Sequence, residues 1–346
     1  MTNAHSFAAR PRFGMSRHLQ DPCLEVGPGI SPFPVPPGVR QILAEREFEG
    51  SLTELFPELG PDARAPKGDV YLDLDIDGLR QFAPASLGSV VVSHVLEHTA
   101  NPVQALREIH RTLRDGGTAL IALPDRRYTF DRDRQGTTVG HLMTEYEQCI
   151  STVSDAHIIE FCKNVEKRSD SEVTAELIEL HRKRSIHVHC WTAEEFFALI
   201  LWLTNTQIVQ FDLVDFMGIE QSIDGSADEE FIMVLRKVPS TSATRLAFQW
   251  GEFIASNLVV HRERIQHLAT VLCAADSMFS ESVDRSHPHF QDVSLNQIVA
   301  SWLQHRDLRV HEFPLIDPSP MIDWAVLERE TDTRAATCWS PVGSAV

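Results

Sequence analysis

Gly27 and Gly29 follow directly on the run Cys23-Leu24-Glu25-Val26. Glycine has no Cβ, so a ligand can approach the backbone of such a turn closely. In an open α/β sheet this kind of turn lies at the carboxyl end of a strand, near the switch in strand order where ligands sit. Two glycines alone do not name the ligand. A dinucleotide fingerprint would need a third glycine at position 32, where Pro32 stands. The turn carries no Walker lysine, which disfavours a nucleoside triphosphate. Glu45 follows the second strand candidate, at a place suited to the hydroxyls of a ribose. Ser93-His94-Val95-Leu96-Glu97-His98 follows the fourth. Glu97 and His98 read as residues that cap or orient that loop.

A second set of reactive side chains comes later. Asp125, Asp131 and Asp133 alternate with Arg126, Arg127, Arg132 and Arg134. This pattern fits a salt-bridged loop or a substrate platform at the mouth of a site. His187 and His189 stand at i and i+2, so on an extended segment they point the same way, as metal ligands can. Carboxylates near Asp125 or Asp131 could complete such a site. No ligand spacing extends beyond the pair, so no metal is expected. His141, His187 and His189 are instead the candidates for a catalytic general base, since imidazole exchanges its proton near neutrality.

These residues need a sheet to position them. Short apolar runs alternate with helical patterns through the first half of the chain, which predicts a parallel α/β sheet. Strands are predicted at Cys23–Val26, Val39–Ala44, Asp69–Leu72, Ser89–Val92 and Thr118–Leu123. Between the last two, Asn101 caps a helix and Pro102 takes its first position. Val103, Leu106, Ile109 and Leu113 recur at helical spacing, and Gly116-Gly117 is expected to end the helix. Glu172–Arg184 reads as a helix, and Thr192-Ala193-Glu194-Glu195 as a capping box before another. Ile208–Phe216 and Phe231–Leu235 complete seven strands, with a turn around Asp224-Gly225-Ser226. Past the linker Pro239–Ser242, helices are expected over Arg245–Ala275 and Leu295–Leu308, and a polar tail after Glu328. The fold class is α/β: a Rossmann-like, seven-stranded, mostly parallel sheet with helices on both faces, plus a mainly helical C-terminal extension. The division falls into residues 1–238 and 239–346.

Bulk properties narrow the partners. The chain has 346 residues and a formal net charge of −18. A broad basic surface for nucleic acid is therefore not expected. The longest apolar run, Phe196–Leu203, is too short to span a bilayer. The N-terminus has no signal-peptide core. Six scattered cysteines without a CxxC pair read as reduced thiols, and the expected compartment is the cytoplasm.

The segments Glu25-Val26-Gly27-Pro28-Gly29, Ser93–His98, Asn101-Pro102 and Arg111-Thr112-Leu113-Arg114-Asp115-Gly116-Gly117 occur in an order that resembles a class I S-adenosylmethionine-dependent methyltransferase. More narrowly, Pro124-Asp125-Arg126-Arg127-Tyr128-Thr129-Phe130-Asp131 resembles a bacterial subgroup often encoded beside glycosyltransferases. The likeness covers about Cys23 to Val238. It implies S-adenosyl-L-methionine as cofactor, with Glu25, Gly27 and Gly29 around the methionine moiety. It implies Glu45 at the ribose hydroxyls and Asp73 at the adenine amino group, with Asp75 as the nearest rival. Ser93 and His94 would line the cofactor and the reacting methyl. Asp125, Arg127, Tyr128 and Asp131 would meet the substrate. The subgroup implies O-methylation of a sugar or secondary metabolite. The alternative is a catalytically silent binding or assembly protein on the same fold. The C-terminal aromatics, among them Phe248 and Trp250, would cap the sheet or form a homodimer contact.

Overall fold

The computed structural model describes residues 12–46, 66–218 and 229–256. Seven strands form one sheet: β1 Cys23–Val26, β2 Gln41–Glu45, β3 Val70–Tyr71, β4 Leu87–Ser93, β5 Leu113–Pro124, β6 Phe211–Met217 and β7 Glu230–Lys237. Their order is β3-β2-β1-β4-β5-β7-β6. The first five run parallel, and β7 is antiparallel to both neighbours. The sequence direction reverses between β1 and β4, so the switch point falls beside the Gly27–Gly29 turn.

The central strands are apolar because both faces are covered. Val90, Val91 and Val92 are fully buried, as are Leu120, Ile121 and Leu123. Along β1, Leu24 and Val26 enter the larger core while Cys23 enters the smaller one on the opposite face, as a period of two requires.

Six helices carry labels here: α1 Pro102–Thr112, α2 Val139–Glu147, α3 Asp155–Asn164, α4 Ala175–Arg184, α5 Ala193–Asn205 and α6 Ala243–Ser256. Asn101 caps α1 by accepting from the Gln104 amide at 3.0 Å. The Thr192–Glu195 capping box forms at the head of α5. Helices α2 to α4 make up an insertion between β5 and α5. Its own small core joins Ile158, Phe161 and Cys162 to Ile186 and Val188.

Several expectations shift. Helix α1 stops at Thr112, because Leu113 turns extended and pairs with Leu87 as the first residue of β5. Gly116-Gly117 therefore lies in a bulge of β5, with Gly116 at φ +76°. Strand β2 begins at Gln41 and β6 at Phe211, later than their apolar runs suggest. The helix expected over Glu172–Arg184 starts at Ala175, capped by Thr174. Cys149 is disulfide-bonded, which corrects the all-thiol expectation, while Cys23, Cys162 and Cys190 are free. The extension expected from 239 begins with α6, which packs on the sheet. Arg245 pairs with the buried Asp212 at 2.7 Å, and Trp250 stacks on Phe197 with centroids 4.2 Å apart. The Asp224 turn, the helix at Leu295–Leu308 and the tail after Glu328 lie outside the described residues.

Candidate active site

The turn after β1 is built by its glycines and by a buried acid. Gly27 has φ +65° and Gly29 φ +55°, a region that costs any L side chain strain. A Cβ on Gly27 would come within 2.8 Å of Val95 Cγ2, in the loop after β4. A Cβ on Gly29 would meet nothing within 4 Å. Space is therefore open beside the Gly29 backbone, as a bound ligand there requires. Glu25 is 1% exposed and does not face that space. Its carboxylate accepts from the Phe33 amide at 2.8 Å and from the Gln41 side chain at 2.5 Å, closing the loop. Burial pushes its carboxyl up to about 7 against these bonds.

The next two strands each end in a carboxylate. Glu45 accepts from the Gly29 amide at 3.0 Å, which brings the end of β2 to the turn. Burial raises its carboxyl above the ordinary range. Asp75 accepts from the Ala100 amide at 2.9 Å and helps to fix the entry to α1. Asp73 keeps a partly exposed carboxylate, paired with Arg46 at 3.0 Å. Its other oxygen accepts from the amides of Asp75 and Ile76 at 2.9 and 3.2 Å, so Asp73 also shapes the turn after β3.

Ser93 closes β4, and His94 follows in a left-handed conformation at φ +54°. Its Nε2 lies 3.0 Å from Glu230 at the start of β7, and Glu230 is held bidentately by Arg12 at 2.7 and 2.8 Å. Burial opposes charge on His94, yet Glu230 and Glu97 together raise its pKa. The Arg12–Glu230–His94 link was not legible in sequence, since it joins residues more than a hundred positions apart.

The loop after β5 forms mostly through ion pairs. Asp125, fully buried, accepts from Arg127 Nε at 2.8 Å and from the Ala193 amide at 3.3 Å. Arg127 also reaches Glu194 at 3.1 Å. This pair anchors the loop to the head of α5. Tyr128 remains 39% exposed, and Phe130 54%. Asp131 is 1% exposed and joins Arg134 at 2.8 Å and His187 Nδ1 at 2.6 Å. Arg134 also donates to the carbonyls of His187 and Val188, at 2.8 and 3.1 Å, so the histidine segment is fixed at its backbone. Burial works against ionised Asp131, and His187 and Arg134 overcome it to hold the carboxyl below its ordinary value.

His187 and His189 separate. The His187 ring sits 4.8 Å from His98 and 4.6 Å from Phe130. His98 is oriented by the Ile186 carbonyl at 2.8 Å, and the Glu97 carbonyl accepts from the amides of Val188 and His189. The loop after β4 thus lies directly against the histidine segment. His189 is fully buried and meets Glu145, with His141 and His157. Its burial drives its pKa down to about 3 and removes it from contact with any acceptor. The three candidate bases therefore do not share one site: His187 adjoins the loop after β4, and His141 and His189 belong elsewhere. Glu145 and His157 were missed. The i, i+4 spacing of His141 and Glu145 is visible in sequence, whereas His157 comes from another helix.

Residues 52–121 match the family model described as a methyltransferase domain. From position 70 onward that stretch carries β3, β4, α1 and most of β5, the elements that frame the site. The chain is similar to a solved S-adenosylmethionine-dependent methyltransferase from Methanosarcina mazei, at 13% identity over 65% of this chain and 96% of that one, with a TM-score of 0.33. It is similar also to a methyltransferase from Thermotoga maritima described as a possible histamine N-methyltransferase, at 15% identity over 67% and 90%, TM-score 0.36. A third is 1,6-didemethyltoxoflavin-N1-methyltransferase from Burkholderia thailandensis, solved with S-adenosylhomocysteine, at 15% over 67% and 79%, TM-score 0.34. No curated protein matches the chain. Residues 52–121 match a methyltransferase domain, and the sheet order with its glycine turn agrees with what the sequence's resemblance to class I S-adenosylmethionine-dependent methyltransferases implies. The methyl donor of that class is S-adenosyl-L-methionine. Among the described residues no helix is long and apolar enough to cross a membrane.

Proposed function

We propose that the protein methylates a hydroxyl oxygen of a small polar acceptor, a sugar or secondary metabolite, with His187 as the general base. The observation that carries this reading is the contact between His187 Nδ1 and buried Asp131 at 2.6 Å. An oxygen nucleophile benefits from losing its proton as it attacks, whereas an amine needs only to arrive unprotonated. A buried carboxylate on Nδ1 fixes the tautomer and orientation that leave Nε2 as the acceptor, the logic of histidine–aspartate pairs in general. Phe130, half exposed and beside His187, offers an apolar face for a ring-shaped acceptor.

The residues present fit the cofactor. Gly29 borders open space, Glu45 would take the ribose hydroxyls and Asp73 the adenine amino group. Ser93 and His94 would line the transferred methyl, with Arg12 and Glu230 holding the His94 ring. When bound, S-adenosyl-L-methionine supplies an electrophilic methyl on a sulfonium. The chain's own work is to align the acceptor oxygen with that methyl, exclude water and take the hydroxyl proton on His187 Nε2. Alignment in favourable cases removes about 7–11 kcal/mol of barrier.

The test pairs binding with turnover. His187→Gln is expected to bind S-adenosylhomocysteine as the wild type does and to lose about 10²- to 10⁴-fold in turnover on a hydroxyl acceptor. Unchanged turnover would remove His187 from the mechanism. A wild-type protein that binds the cofactor but methylates no acceptor across a panel of sugars and phenols would favour the silent reading.

A further inference from the structure

We propose that Nε2 of His141, His157 and His189, with the carboxylate of Glu145, form a binding site for one divalent transition-metal ion of the zinc class. The four residues come from three places: α2 carries His141 and Glu145, α3 carries His157, and His189 lies in the segment before α5. Their ligand atoms all lie within 4.8 Å of one another. His141 Nε2 is 3.2 Å from His157 Nε2 and 3.2 Å from Glu145 Oε1. His189 Nε2 is 3.5 Å from Glu145 Oε2. A tetrahedron with metal–ligand bonds of about 2.0–2.1 Å has edges of about 3.3 Å, so these spacings already approximate one. The remaining contact, His157 to Glu145 at 2.7 Å, would open slightly.

Hydrogen bonding alone does not account for the cluster. His189 is completely buried, and neither ring nitrogen has a hydrogen-bond partner. Glu145 Oε2 is buried and equally without one. Such groups are normally paired, and a buried imidazole aimed at a carboxylate among two further imidazoles is a donor set for a cation. Three imidazole nitrogens and one carboxylate suit zinc better than calcium or magnesium, which favour oxygen. The side chain of His141 is 46% exposed, so an ion has a route of entry. Once bound, it would tie α2 and α3 to the segment that presents His187. The inference does not depend on His187 being a base, because its readouts need no turnover.

The full-length protein, stripped with a chelator and dialysed, is titrated with zinc and separately with cobalt(II). About one ion per chain is expected, with a rise in unfolding temperature that saturates at that ratio. Cobalt should give the strong visible absorption of a tetrahedral site. Zinc should also shield His141 and His157 of the wild type from diethylpyrocarbonate, read peptide by peptide by mass spectrometry. His141→Ala and Glu145→Gln should each lose the cobalt band while keeping the wild-type near-ultraviolet circular dichroism. A folded wild type that binds no ion would overturn the proposal. So would an ion that persists in both variants and is lost on His98→Ala, because it would then sit at Glu97, His98 and His187 instead.

Discussion

His187 and Asp131 stand 56 positions apart and meet at 2.6 Å. The sequence offered the histidine and three nearby carboxylates, Asp125, Asp131 and Asp133. It could not say which carboxylate would turn inward. The structure separates them by partner: Asp125 by Arg127, Asp133 by Lys167 and Asp131 by His187. Asp131→Asn keeps the volume and removes the charge that holds the imidazole. Turnover on a hydroxyl acceptor should fall by about 10²-fold or more with KM nearly unchanged. Equal kcat in both proteins would show that Asp131 only supports the loop.

Glu25 allows a second prediction at this scale. Its carboxyl lies near 7 in the folded protein, against an ordinary 4.5. Between those values the native state holds a proton that the unfolded chain releases, so stability falls as pH rises through that window. At 1.36 kcal/mol per pH unit the loss is of order 3 kcal/mol. Urea unfolding of wild type and Glu25→Gln at about pH 5 and about pH 8 isolates it. The variant should show the weaker decline with pH. Parallel declines would mean that Glu25 titrates normally.

The elements differ in how plainly the sequence announced them. Strand β1 fell where its apolar run predicts, because Gly27 follows it at once. Helices α1 and α5 began at their caps because Asn101 and Thr192 satisfy amides that no other group reaches. Strand β3 has only two residues, too few for a pattern, and Leu113 served two elements at once. The glycine turn yields a contrast between neighbours. Both glycines have positive φ, so alanine at either should cost about 1–2 kcal/mol of stability. Gly27→Ala should cost more than that, since its Cβ also drives against Val95. Gly29→Ala meets no such contact, but its methyl group enters the space assigned to the cofactor. Its affinity for S-adenosylhomocysteine should drop by at least about tenfold, a 1.4 kcal/mol effect, with little further change in stability. Calorimetric titration of that variant with unaltered affinity would place the cofactor elsewhere.

On the scale of the whole molecule, the sheet does not end with its seventh strand. The apolar residues of α6 were legible as a helical pattern, but periodicity does not say what a helix covers. Here Trp250 lies between Phe197 of α5 and Phe216 of β6, with ring centroids at 4.2 and 4.4 Å. It is 2% exposed, and Leu246 one turn earlier is fully buried. The Leu213 amide donates to Gln249 at 3.0 Å, so the edge strand β6 is bonded to this helix as well as packed under it. An edge strand stripped of that cover would present both apolar side chains and free backbone groups to other chains. The helix therefore shares one core with the sheet. Trp250→Ala should lower the free energy of unfolding by about 3–5 kcal/mol, the range for emptying an aromatic site in a core. A chain cut after Val238 should lose still more, because Phe197 and Phe216 would be exposed together. Denaturant unfolding of the first variant, and size-exclusion chromatography of the second, check both. If the truncated chain eluted in the same oligomeric state as the full chain and unfolded as cooperatively, α6 would be an appendage, and the apolar face beneath it would need another explanation.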